Sequence, residues 1–98
     1  MAKLESQFQS QLIKEIKERF PNCIVTKIEP TSYQGIPDLL ILHENKWATL
    51  ECKRSANSSK RPNQEYYISK MNQMSFSRFV CPENKEEVLN DLEQAFQS

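Results

Sequence analysis

Leu4, Phe8, Leu12, Ile16 and Phe20 recur every four positions, and Ile13 widens the stripe. That spacing predicts an amphipathic helix over residues 3–19, stopped by Pro21. The β-rich run 23–28 predicts a strand, and 29–35 a loop that ends on Gly35. Two apolar runs follow, 36–42 and 47–53, joined around His43-Glu44-Asn45-Lys46 as a hairpin. Residues 54–61 lack periodicity and are small and polar, which predicts a loop. Pro62 suits the first turn of a helix reaching about Met74. A short strand is predicted at 78–81. The spacing of Asn84 and Glu87 suggests a capping box for a last helix, whose apolar face is Val88, Leu89, Leu92 and Phe96. The order is αβββαβα, an α/β chain in which helices flank a mixed sheet.

Side chains alternate faces along a strand, so Glu51 and Lys53 share a face and Cys52 points to the other. A carboxylate and an amine in a strand otherwise suited to burial are costly unless paired or bound to something. Directly opposed residues of an antiparallel pair also share a face. If Leu42 opposes Trp47, then Leu40 opposes Thr49 and Asp38 opposes Glu51. The connection is then four residues, or two if His43 and Lys46 also pair. A shift of one residue would send Asp38 to the other face. One allowed register therefore gathers Asp38, Glu51 and Lys53. Two carboxylates suit a hard divalent cation, and a lysine beside them suits a developing anion or an attacking water. Gly35 allows a bend or a close approach just before Asp38.

Composition bounds the setting. Ninety-eight residues suffice for one small domain, expected to span residues 1–98. Cys23, Cys52 and Cys81 are odd in number and widely spaced, and read as reduced packing residues. No apolar stretch is long enough for a membrane span, and the first residues lack the apolar centre of a signal peptide, so a cytoplasmic location is expected. The net charge of zero hides a strong partition. Residues 46–80 carry +5, residues 81–98 carry −4, and the first 45 carry −1. The basic segment includes the candidate strand, which favours contact with phosphates. Arg54, Lys60, Arg61 and Lys70 are the expected contacts, and the acidic last helix is expected to face away. Among the aromatics, Trp47, Tyr66, Tyr67 and Phe76 could stack on bases, but packing is the expected role for most of them. His43 reads as a turn residue rather than a general base.

Gln34-Gly35-Ile36-Pro37-Asp38-Leu39-Leu40-Ile41 followed by Trp47-Ala48-Thr49-Leu50-Glu51-Cys52-Lys53 resembles the PD-(D/E)xK nuclease superfamily. Within it, the chain is most similar to small VRR-NUC and Holliday-junction-resolvase-like proteins, many of them phage-encoded. The resemblance covers nearly the whole chain. It implies a restriction-endonuclease-like αβββαβ core with a mixed central sheet, here extended by a C-terminal helix. It also implies Mg²⁺ or Mn²⁺ held by Asp38, Glu51 and the Cys52 carbonyl, with Lys53 assisting the attacking water. Two further family positions are matched by Glu5 on the first helix, a further metal ligand, and Gln64 on the helix after the lysine strand. The expected activity is metal-dependent endonucleolytic cleavage of DNA by a homodimer, either structure-selective for branched DNA or nicking, with no organic cofactor. Two rivals share the same residues: a catalytically silent DNA-binding or assembly module, and a nuclease subunit active only in a larger complex.

Overall fold

In the computed structural model the backbone is described from Ala2 and the side chains from Glu5 to Ser98. Helix α1 spans Ala2–Arg19, followed by β1 at Ile24–Lys27, β2 at Leu39–His43 and β3 at Lys46–Cys52. Then come α2 at Pro62–Met74, β4 at Phe76–Val80 and α3 at Lys85–Gln97. The order αβββαβα is the one expected. No described helix is long and apolar enough to cross a membrane.

The four strands lie in the order β1-β2-β3-β4, antiparallel from β1 to β3 and parallel between β3 and β4. Leu42 pairs with Trp47 and Leu40 with Thr49, and His43 pairs with Lys46, so the turn is the two-residue Glu44-Asn45. Glu44 takes a φ of 58°, a left-handed conformation needed at the first position of such a turn.

Parity divides the sheet into two unlike faces. Leu39, Ile41, Ala48, Leu50 and Cys52 face the core with Leu12, Ile16 and Phe20 of α1 and Val88, Leu89, Leu92 and Phe96 of α3. Phe8 and Ile13 are partly buried against this core, and Leu4 lies outside the described side chains. His43 stacks on Phe96 and tilts against Phe20, closing the far end of the core. The other face carries Thr49, Glu51 and Lys53, and α2 lies across it. No residue of α2 is buried, and polar contacts join it to the sheet. Ser75 Oγ donates to the Trp47 carbonyl, and Asn72 accepts from the Ser77 amide. Thr49 and Ser77 hydroxyls meet at 2.7 Å with both residues buried.

Two local expectations are corrected. Strand β4 begins two residues earlier than expected and includes Ser77, whose polarity hid it, because its hydroxyl finds Thr49 across the ladder. Asn84 makes no side-chain cap for α3. Its carboxamide instead accepts from the Cys81 amide and donates to the Phe79 carbonyl, fixing the turn out of β4. Helix α3 packs on the sheet face opposite α2, and its acidic side chains engage neighbouring cations. Asp91 pairs with Arg78 at 3.1 Å, while Glu86 and Glu93 flank Arg19. Arg78 is thereby removed from the basic surface.

Candidate active site

The β2–β3 ladder ends at Leu39 and Leu50, and Asp38 and Glu51 come next on the same register. They converge as expected, although Asp38 lies one step outside the assigned strand. Pro37 is the reason. The ladder position opposite Cys52 belongs to Pro37, which has no N–H to donate. The Cys52 amide is taken by Asp38 Oδ2 at 3.0 Å. A strand residue directs its N–H and C=O to the same edge, so the Cys52 carbonyl faces the place where β2 has run out of donors. The Asp38 carbonyl meanwhile accepts from the Ile28 amide at 2.7 Å, which ties this corner to the end of β1.

Glu51 is buried, with only 5% of its surface exposed. Its Oε2 accepts from Gln64 Nε2 at 3.0 Å and lies 3.9 Å from Lys53 Nζ. Its Oε1 is buried and has no hydrogen-bond partner. A buried carboxylate oxygen without a donor is expensive, and it is the kind of atom a cation satisfies. Burial, then the Asp38 charge, push the Glu51 carboxyl up to about 7 against the pull of Lys53. Burial also raises Asp38, opposed by the Cys52 amide and by the charges of Lys53 and Lys27. Two adjacent carboxylates that resist ionising together are poised to share a divalent cation. The Cys52 thiol is pushed up to about 12, mainly by burial, so this residue offers only its backbone to the site.

Gln64 is the hinge pin of the arrangement. Its Oε1 accepts from Lys53 Nζ at 2.9 Å and from the Arg61 amide at 3.1 Å, while its Nε2 reaches Glu51. One carboxamide thus orients the lysine, holds the carboxylate and returns a bond to the start of α2. Only this half of a capping box exists, because the Arg61 guanidinium has no acceptor. Glu5 behaves differently. It is exposed in the first turn of α1, and its charge acts on Glu51 only through space. Among the described residues no group of three or more His, Cys, Asp or Glu side chains is gathered to hold a metal ion. The side-chain donors brought together are therefore Asp38 and Glu51, without Glu5.

A cleft of about 180 Å³ opens over these groups, lined by Asp38, Glu51 and Gln64 on one side and by Pro30, Gln34 and Gly35 on the other. Gly35 is the only glycine in the chain. Its φ is +89°, and a Cβ there would meet Asn63 at 2.7 to 3.0 Å, including its backbone carbon. Asn63 is the contact that sequence reasoning missed, and the solitary glycine three residues before Asp38 was its signal. Gly35→Ala should destabilise the protein by about 1–3 kcal/mol and pull the 29–35 loop off α2. A thermal melt checks this, and an unchanged midpoint would mean the loop is not seated on Asn63.

Of the expected phosphate contacts, Arg54, Arg61 and Lys70 are exposed. Lys60 is exposed as well but lies 5.3 Å from the centre of the Phe79 ring. The 54–61 loop is less free than its composition suggests. Ser55 and Ser58 form a tight turn, and the Ala56 amide donates to Glu83. A larger recess of about 420 Å³ lies near Arg19, His43 and Phe96 at the hairpin end. Arg19 there is already held by Glu86, Glu93 and Asn90, and the recess has no counterpart to the Asp38–Glu51 pair.

No family model matches the sequence, and no curated protein does. Two solved structures resemble it. One, described as a VRR_NUC domain, has a TM-score of 0.62 at 23% identity over 83% of this chain and 92% of its own. The other, a VRR_NUC domain protein, has a TM-score of 0.68 at 14% identity over 95% of this chain and 88% of its own. At such identities the likeness is one of fold. The chain has the restriction-endonuclease-like fold of VRR_NUC domains.

Proposed function

We propose that this chain is a metal-dependent endodeoxyribonuclease, either selective for branched DNA or nicking. The observation that carries the reading is the bare Glu51 Oε1, buried beside Asp38 while Gln64 holds Lys53 next to both. Asp38, Glu51 and the Cys52 carbonyl are the groups that would hold Mg²⁺ or Mn²⁺, an all-oxygen set suited to either ion. The bound ion would supply charge to the scissile phosphate and acidify a water.

The rest is work for the protein's own atoms. Lys53 is held by Gln64 with its ammonium 3.9 Å from Glu51, where it would orient a water or meet charge developing on phosphate. Arg61 at the cleft mouth attracts the backbone, with Arg54, Lys60 and Lys70 extending the basic surface. Such contacts position DNA and carry no sequence information, which favours recognition by shape. Three free cysteines are consistent with work in a reducing cytoplasm. Cleaving two strands of one junction would call for two copies related by a two-fold axis.

The test is direct. Pure protein with Mg²⁺ or Mn²⁺ should cut at least one of a set of linear, nicked, flapped and four-way DNAs. Asp38→Ala should lose all of that activity and keep its circular dichroism spectrum. A protein that binds these DNAs but never cuts them would be an assembly module or a subunit awaiting a partner. Activity surviving in folded Asp38→Ala would sink the site.

A further inference from the structure

Three tyrosines meet beside the cleft. Tyr33, in the 29–35 loop, packs edge to face on Tyr67 of α2 with ring centroids 6.0 Å apart. Tyr67 packs in the same way on Tyr66 at 5.0 Å. The outer two remain largely uncovered, Tyr33 at 57% and Tyr66 at 56% exposure. Phe76, by contrast, has gone into the core. The packing of Tyr33 on Tyr67, with Gly35 on Asn63, fixes the loop against the helix, so the ledge is preformed.

We propose that this ledge receives unpaired nucleotides of a DNA strand, so that the site works where duplex gives way to single strand. The inference rests on the nuclease reading and narrows its substrate class. A duplex presents sugar and phosphate to a protein surface and keeps its base faces stacked. Unpaired bases offer π-faces to an exposed ring along the strand, and any base can do so, whereas a duplex offers them only at its two ends.

Continuity and charge select this occupant over an apolar peptide. The same loop and the same helix form the walls of the cleft above Asp38 and Glu51. Arg61 lies at the cleft mouth, and Lys70 follows Tyr66 by one helical turn, sharing a shallow groove with it. At 100° per residue, Lys70 lies between Tyr66 and Tyr67 around the helix, and Glu65 falls on the opposite flank. A strand leaving the cleft would meet rings and cations in turn.

Fluorescence anisotropy with a labelled short oligothymidylate and a blunt duplex of equal length, in EDTA to prevent cleavage, tests this. Wild type should bind the oligothymidylate. Tyr66→Ala should weaken that binding about tenfold and change duplex binding less than about twofold, whereas Tyr66→Phe should match wild type on both. Tyr66 is exposed and outermost, so its removal leaves the Tyr33–Tyr67 contact in place, and a thermal melt checks that the variant is folded. Equal losses on both probes, an unchanged affinity for the oligothymidylate, or a wild type that does not bind it would each overturn the ledge. Selective binding without metal-dependent cleavage would leave the ledge standing and remove the nuclease reading.

Discussion

Glu51→Gln is expected to end the proposed DNA cleavage and, at the same time, to make the metal-free protein more stable at pH 8. The first effect follows from the loss of an anionic ligand, and several kcal/mol of transition-state stabilisation correspond to about a thousandfold or more in rate. The second follows from linkage. The folded-state pKa of Glu51 is raised from 4.5 to about 7, chiefly by burial. Folding therefore favours the protonated acid. The penalty is absent below pH 4.5, grows as pH rises toward 7, and is complete above it. For a side chain this buried it is on the order of 3 kcal/mol. A neutral carboxamide of the same shape escapes the penalty but brings an N–H₂ that must find an acceptor. A net gain of about 2 kcal/mol, or about 10 °C in melting temperature, is expected at pH 8 in EDTA. At pH 4 the advantage should be gone, leaving the variant less stable than wild type by about 1 kcal/mol, the cost of the unpaired carboxamide. An advantage equal at both pH values would show that the buried charge is not its source. Added Mg²⁺ should stabilise wild type and leave the variant unmoved.

Lys53→Met separates catalysis from metal binding. Methionine keeps the unbranched apolar stem and removes the ammonium. An ammonium has no lone pair to offer a cation, so Lys53 is not a ligand while protonated. Cleavage should fall by about 10² to 10⁴, the range for losing one positioned acid–base or charge-stabilising group. Metal affinity measured by calorimetry at pH 8 should stay within a few-fold of wild type. Gln64 keeps its bonds to Glu51 and to the Arg61 amide, so the helix start should hold. Parallel loss of affinity and rate would mean that Lys53 serves only to hold the carboxylates.

The hairpin register was legible because two constraints agreed. The apolar side chains had to share one face, and the two carboxylates had to meet on the other. A slip of one residue would have violated both. The αβββαβα order was legible for the same reason, since strands of alternating or continuous apolar character stand apart from a helix of period near four. Gln64 could be named only by likeness to a family, since nothing in a carboxamide's sequence position says that it will bridge a lysine and a glutamate eleven and thirteen residues away. Its part became visible when α2 was seen crossing the polar face of the sheet. Ser77 was hidden because a buried hydroxyl looks like a loop residue until its partner Thr49 is known. The pairing of Asp91 with Arg78 was not legible, because the two lie on different elements that only folding brings together. Tyr33 drew no notice, since only folding brings its loop to α2.

Helix α2 has no buried residue, and its ties to the sheet are polar. Segments with few buried apolar contacts open at lower free energy than the core and form their own cooperative units. The amides of α2 should thus exchange with solvent deuterons before those of α1 or α3, without the sheet coming apart. Since Gln64 is among its anchors, metal binding at the carboxylate pair would be expected to slow that opening. The wall of the cleft would then be the part of the molecule expected to yield first, giving a threaded strand a way in that leaves the core untouched.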